Sequence, residues 1–247
     1  MIGDFTFEQL LLVAGFAFFT QIVGGIAGYG TGLLLPLVLV PLIGAEAVVP
    51  VISLAALITN PTRAITFWKF LDRRKTIFVT LCALPATAVG AYWFTLLTGR
   101  GAQILIGCLL IAMVPLRHML RRLRVQLKGG GMAGASFGFG FLMGVTPGTG
   151  VVLLSILMAA GLAGNQVIAT DAAISALLGL VRTGIYAGFG ALPWDLAFLS
   201  VLIGAMATPG TLTARWISRR FTAEFHNGIF DVVIVIGGSV LLWQVFA

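Results

Sequence analysis

Residues 24–32 read Gly-Gly-Ile-Ala-Gly-Tyr-Gly-Thr-Gly, five glycines in nine positions, between the apolar runs 10–23 and 33–42. Inside a helix, glycine costs about 1 kcal/mol relative to alanine, so a cluster of glycines interrupts the helix. The flanks are apolar enough to place this break in a lipid bilayer, where opened backbone must be covered by protein or line a wet cavity. Transporters use such breaks as binding sites, because half-helix N-termini direct positive dipole ends at an anion.

A second break of the same kind lies in the second half of the chain. Residues 144–150 read Gly-Val-Thr-Pro-Gly-Thr-Gly, so the tripeptide Gly-Thr-Gly occurs at 30–32 and again at 148–150, an offset of 118 residues. Weaker matches follow in the same order at offsets of 119 and 121 residues. We predict an internal duplication, with residues 1–130 and 131–247 as two membrane repeats of one integral membrane domain.

The composition is that of a membrane protein. Hydrophobic residues make up 59% of the 247 positions and charged residues only 9%, whereas soluble proteins carry about 25% charged residues. The apolar runs are long and unbroken, whereas a membrane β-barrel shows alternating segments of roughly ten residues. The sequence therefore predicts an all-α polytopic membrane protein with two inverted-topology repeats and glycine-broken helices.

The net charge of +7 has a topological explanation. The basic residues fall in three short clusters between apolar runs, at 69–75, 117–128 and 215–220. This is the pattern that the positive-inside rule produces, so no nucleic-acid partner is predicted. Placing all three clusters in the cytoplasm leaves both termini outside. Each half then contributes an odd number of spans, so the second repeat enters the membrane from the opposite side, with a binding site expected between the repeats.

Ten apolar segments are predicted, and the three shortest fall well below the ~20 residues that a full span needs. These three, at 30–44, 131–145 and 148–162, flank the glycine breaks and are candidates for half-helices or re-entrant hairpins. The other segments are 7–27, 47–68, 76–97, 101–117, 166–188, 194–215 and 224–246.

No metal or cofactor is predicted. Cys82 and Cys108 lie inside apolar runs and are expected to behave as small hydrophobic residues. His118 and His226 each stand alone beside basic loops, so a histidine cluster that could bind a metal is not expected.

Two arginines occupy matched positions in the halves, Arg63 and Arg182. An arginine at the centre of a membrane helix costs about 2.5–3.5 kcal/mol. Each either extends its side chain to the interface or neutralises a bound anion, since a guanidinium presents a planar fork of donors that matches a carboxylate or sulfonate. Asn60 and Pro61 lie one turn before Arg63 and mark either a ligand contact or a kink.

Asp171 is the carboxylate of most interest, because it lies inside the segment 166–188. It is either a buried residue that carries a coupling proton or a solvated residue near the cytoplasmic end of its helix. Asp231, in the last segment, is a weaker proton-carrier candidate. The predicted substrate-binding residues are Gly28, Gly30, Thr31, Gly32, Asn60, Arg63, Gly148, Thr149, Gly150 and Arg182.

Two motifs resemble those of the TauE/SafE sulfite-exporter family. One is the glycine-rich break that runs into residues 33–37, Leu-Leu-Leu-Pro-Leu, and the other is the aromatic-basic end of the third helix at 67–72, Phe-Trp-Lys-Phe-Leu-Asp. The resemblance implies an anion carrier for sulfite, organosulfonates and related sulfur or carboxylate compounds. The sequence differs from the family pattern at 50–53, Pro-Val-Ile-Ser, where Gly-Thr-Ser is usual, and at Asp171, where serine is usual.

We therefore expect a secondary transporter, not an enzyme, that moves a small sulfur-containing anion across the bacterial cytoplasmic membrane. No nucleotide-binding motif is present, so an ion gradient or the substrate's own gradient would drive transport. One alternative is an intramembrane enzyme acting on a lipid pyrophosphate. Such an enzyme would require a nucleophile or base beside an arginine. An anion channel is another. The expected partners are a small anionic substrate and membrane lipid, and the sequence leaves open whether the chain forms a homo-oligomer.

Overall fold

The computed structural model of the protein describes residues 5–27, 31–122, 126–217, 235 and 238–245. Helices dominate this part of the chain, and we number nine of them in chain order. They are α1 (Phe7–Ala27), α2 (Thr31–Ile43), α3 (Ala45–Thr66), α4 (Arg73–Thr95), α5 (Gly99–Arg122), α6 (Gly129–Val145), α7 (Gly150–Ala159), α8 (Asn165–Gly188) and α9 (Trp194–Ile217). Residues 238–245 are also helical, and a 3₁₀ turn, Trp68–Phe70, joins α3 to α4.

The polytopic α-helical membrane fold predicted from the sequence is confirmed. Four helices of the described chain have the length and composition to cross a membrane, namely the regions Ala45–Thr66, Arg73–Thr95, Gly99–Leu116 and Asn165–Gly188. Large apolar side chains lie on the outer surface, where Phe7 and Trp194 are among the most exposed. A bilayer would cover such side chains with lipid, so their exposure is the expected state of a membrane protein.

The structure forms short helices, α2 and α7, from two of the short apolar segments that flank the glycine breaks. At 1.5 Å per residue, the 13 residues of α2 span about 20 Å and the 10 residues of α7 about 15 Å. Neither reaches across a hydrocarbon core of about 30 Å. The backbone N–H of Leu127, just before α6, donates to the carbonyl of Ala159 at the end of α7 over 2.9 Å. The helices α6 and α7 therefore form a hairpin whose tip is the second glycine break.

The helices of the two predicted halves exchange partners. Helix α1 packs against α9, α6 packs against α4, and α3 and α8 pack against each other at the centre. Such reciprocal packing is what an internal duplication would produce, and the duplication stays a prediction. The boundary predicted after residue 130 falls in the first turn of α6, which begins at Gly129.

Glycines allow the exchanged helices to approach closely. A Cβ built on Gly144 of α6 would lie 2.6 Å from the backbone nitrogen of Ala91 and 2.7 Å from the carbonyl oxygen of Thr87, both in α4. A Cβ on Gly210 of α9 would lie 2.8 Å from the carbonyl oxygen of Phe18 in α1. Because lipid tails are as apolar as leucine, membrane helices associate through this kind of backbone packing.

Candidate substrate site

The second glycine break forms a turn at the tip of the α6–α7 hairpin. Helix α6 ends at Val145, and Thr146 caps it in an extended conformation. Gly148 has a φ of 85°, a left-handed conformation that L side chains rarely adopt. Helix α7 begins two residues later, at Gly150. Most of this turn is buried, with Thr146 1% exposed and Thr149 6% exposed.

The two breaks meet inside the protein. A Cβ built on Gly32, the second residue of α2, would collide with the backbone nitrogen of Gly148 and lie 2.5 Å from its Cα. A Cβ on Gly148 would in turn lie 2.5 Å from a methyl carbon of Leu33. The N-terminal ends of α2 and α7 are therefore in contact, and only residues without a side chain allow this approach. Each end carries a partial positive charge of about half a unit.

The first turn of α7 leaves backbone donors free. The first hydrogen bonds of this helix are donated by Val152 and Leu153, both to the carbonyl of Thr149, at 3.0 and 3.3 Å. The preceding N–H groups, those of Gly150 and Val151, have no hydrogen-bond partner within the described chain. Such groups are satisfied elsewhere by caps, water or ligands, and Val151 is only 6% exposed. The end of α7 is thus a buried set of donors suited to an acceptor-only ligand.

Arg182 of α8 lies against the other side of the same break. Its guanidinium donates to the carbonyls of Met143 (2.6 Å) and Thr146 (3.4 Å), and the hydroxyl of Tyr186 donates to the carbonyl of Gly144. These carbonyls lie at the C-terminal end of α6, where the last carbonyl groups of a helix have no N–H donor within the helix itself. Arg182 is 4% exposed, so it does not extend to the interface as one of the two interpretations held.

Two buried polar atoms of α8 have no partner in the described chain, the Nε of Arg182, which lies against this break, and the Oγ1 of the next residue, Thr183. Buried polar groups in native proteins are nearly always hydrogen-bonded, so unpaired ones require an explanation. A bound polar molecule would supply one.

Arg63 is placed differently from its counterpart. It lies one turn before the end of α3, and its Nη2 is 3.4 Å from the Oδ2 of Asp171 in α8. The Asp171 side chain is 5% exposed, which excludes the interpretation of a solvated residue. Asp171 and Arg182 are eleven residues apart on α8, which is about 16 Å along the axis. The structure therefore does not bring the two arginines together around one small ligand.

The loop that follows α3 contacts the same part of α8. The backbone N–H of Asp72 donates to the Oγ1 of Thr170 over 3.3 Å. Asp72 also caps α4 by accepting from the backbone N–H of Lys75 at 3.0 Å, and its carboxylate lies 3.4 Å from the Lys75 ammonium group. The Lys75 N–H is the main reason that the pKa of Asp72 lies below its usual value.

The other predicted site residues are placed as follows. Gly28 and Gly30 lie outside the described residues, as does the side chain of Thr31. Asn60 is half-buried on α3, one turn before Arg63. Asp231, the weaker proton-carrier candidate, also lies outside the described residues, as does His226.

Two residues next to Arg182 on α8, Tyr186 and Thr183, were not among the site residues predicted from the sequence. A signal for Tyr186 existed, since it follows Arg182 by four residues and therefore shares its helix face.

Comparison with known proteins is consistent with this architecture. The family model described as sulfite exporter TauE/SafE matches residues 13–241, nearly the whole chain. No curated protein matches, and neither does any solved structure. A match of this length shows the family, and the resemblance seen in the two short motifs is confirmed. The chain therefore belongs to the TauE/SafE family of sulfite exporters, which are membrane transporters.

Proposed function

We propose that this protein is a secondary transporter that moves a small sulfur-containing anion, such as sulfite or an organosulfonate, across the bacterial cytoplasmic membrane. The observation that carries the proposal is the contact between the N-terminal ends of α2 and α7 at Gly32 and Gly148. Family membership supports the substrate class.

The electrostatics of this contact favour an anion. Two helix N-termini together supply about one positive charge, and the free N–H groups of Gly150 and Val151 are donors only. A fully ionised sulfite ion or sulfonate group presents three acceptor oxygens and no hydrogen-bond donor, so it matches such a site, whereas a cation would be repelled. Arg182 adds a full positive charge next to the break, although part of its donor set is already used by carbonyls of α6.

The position of the contact suits alternating access. The proposed ligand would touch α2 from the first half of the chain and α7 from the second, and transporter sites commonly lie between such repeats. Movement of the α6–α7 hairpin relative to α2 would open the site to one side of the membrane. The proposal includes the inverted arrangement of the halves, with the clusters at 69–75, 117–128 and 215–220 in the cytoplasm.

Flux into proteoliposomes tests the proposal. Purified protein would be reconstituted and assayed with sulfite, thiosulfate, sulfoacetate, taurine and short carboxylates. We expect saturable uptake of at least one sulfur oxyanion, with counterflow when the same anion is loaded inside. Uptake that does not saturate and shows no counterflow would indicate a channel. Chemical change of the anion would indicate an enzyme.

A further inference from the structure

The ion pair between Arg63 and Asp171 leaves one oxygen of the buried Asp171 carboxylate without a hydrogen-bond partner. The Oδ2 of Asp171 faces the Nη2 of Arg63 at 3.4 Å, and its Oδ1 is buried without a partner in the described chain. The Arg63 side chain is 26% exposed, and this single contact uses one of the five N–H donors of its guanidinium. The pair therefore joins a buried carboxylate to a partly exposed guanidinium whose other N–H donors this contact leaves unused.

No other charge in the described chain competes for Asp171. The elements packed against α8 are α3, α4, α7 and the 3₁₀ turn, while α9 packs next to α3. The charged or titratable residues of the described parts of these elements and their connections, other than Arg63, are Glu46, Lys69, Asp72, Arg73, Arg74, Lys75, Cys82, Tyr92 and Asp195, with Arg182 and Tyr186 on α8 itself. Arg215 also lies on α9, but its side chain is outside the described residues. None of them forms an ion pair with Asp171. Lys75 is paired with Asp72, and the guanidinium of Arg73 lies over the ring of Trp68.

We infer that Asp171 is a proton site linked to anion binding at Arg63, a second position on the path of the transported anion about 16 Å along α8 from Arg182 at the break, and this rests on the proposed function. An incoming sulfur oxyanion takes the guanidinium, because it offers three charged oxygens to a fork that now contacts one carboxylate oxygen. Asp171 then has no counter-charge in a buried position, which is costly for the ionised form.

The proton balance of this exchange is simple. The Asp171 carboxylate takes one proton from water to become the neutral acid as the anion binds. When the anion leaves, Arg63 returns to Asp171 and the proton is released. Anion and proton therefore bind together, and for a dianion such as sulfite one negative charge would move per cycle.

Anion affinity should depend on pH. Because anion binding promotes proton uptake, protons must promote anion binding to the same extent. Anion affinity is expected to weaken as pH rises, by about tenfold per pH unit while one proton is linked.

Calorimetry with thiosulfate and sulfoacetate tests the inference, since both stay fully ionised between pH 6 and 8, whereas sulfite does not. Titrations in buffers of different ionisation enthalpy report the number of protons that each protein molecule takes up when it is saturated with the anion. We expect about one proton for the native protein and none for Asp171→Asn, whose affinity should be independent of pH. Arg63→Gln should also show none, because it lacks the counter-charge whose loss drives proton uptake, and Arg63→Lys should retain uptake.

Asp195→Asn is the matched control, since Asp195 is an exposed carboxylate at the start of α9, and this variant should keep the native uptake. Binding without proton uptake by the native protein would overturn the inference while leaving the proposed function intact, and this result does not depend on any variant folding. Unchanged uptake in Asp171→Asn would also overturn it. Failure of both anions to bind would count against the proposed function and this inference together.

Discussion

The substitution Gly32→Ala tests the contact between the two helix ends. The new Cβ would lie 2.5 Å from the Cα of Gly148, whereas non-bonded carbon atoms prefer about 3.5 Å or more. The α2 and α7 ends must therefore separate by about 1 Å. An anion held by both ends would lose at least one charge-assisted hydrogen bond, which is worth about 1.5–3 kcal/mol. This corresponds to a roughly ten- to hundredfold weaker Kd.

The assay is anion affinity by calorimetry, followed by the initial rate of uptake into proteoliposomes. Gly15→Ala in α1 is the matched control, because a Cβ at Gly15 meets nothing within 4 Å. The control should bind and transport like the native protein, and both variants should remain folded, since overpacking costs about 1–3 kcal/mol. If Gly32→Ala binds the anion with native affinity, the reasoning is refuted, and the contact between Gly32 and Gly148 serves helix packing only.

Three further predictions concern the packing, the break and the loop after α3. Gly144→Ala should destabilise the protein by about 1–3 kcal/mol through its collision with α4, whereas Gly138→Ala, with nothing within 4 Å of its Cβ, should not; thermal unfolding in detergent compares the two. Tyr186→Phe should cost about 1–3 kcal/mol in the same assay, since it leaves a buried carbonyl of Gly144 unpaired. Asp72→Asn should flatten the loss of stability in acid: the pKa of Asp72 is lowered in the folded state, so its contribution is present above the ordinary value of 3.8 and is lost as pH falls below it.

The sequence predicted most helix boundaries well, because glycine and polar residues mark where apolar helices stop. The segment predicted at 148–162 is the helix Gly150–Ala159, which glycines with φ of 85° and 88°, Gly148 and Gly161, bound on each side. The largest error was at α5, predicted at 101–117 and observed as Gly99–Arg122. Apolar composition ends with the hydrocarbon core, whereas a helix can continue through its basic end into water.

The roles of the charged residues could be predicted only in part. Matched positions of Arg63 and Arg182 indicated that both are more than surface charges, and burial of Arg182 agrees with this. What each one contacts depends on which helix lies opposite. Met143 is 39 residues from Arg182, and Asp171 is 108 residues from Arg63. Spacing along the chain carries no information about such pairs.

The most direct test of the central claim is the response of backbone amides at the break to a bound anion. Protein labelled with ¹⁵N-glycine would be titrated with thiosulfate or sulfite, and the Gly150 signal would be assigned from its loss in Gly150→Ala, a position where a Cβ meets nothing within 4 Å. We predict saturable shifts of the Gly148 and Gly150 signals at the anion concentration that half-saturates transport, with Gly15 and Gly138 unchanged. Saturable binding that leaves both break glycines unshifted would contradict the claim that the two helix ends hold the anion.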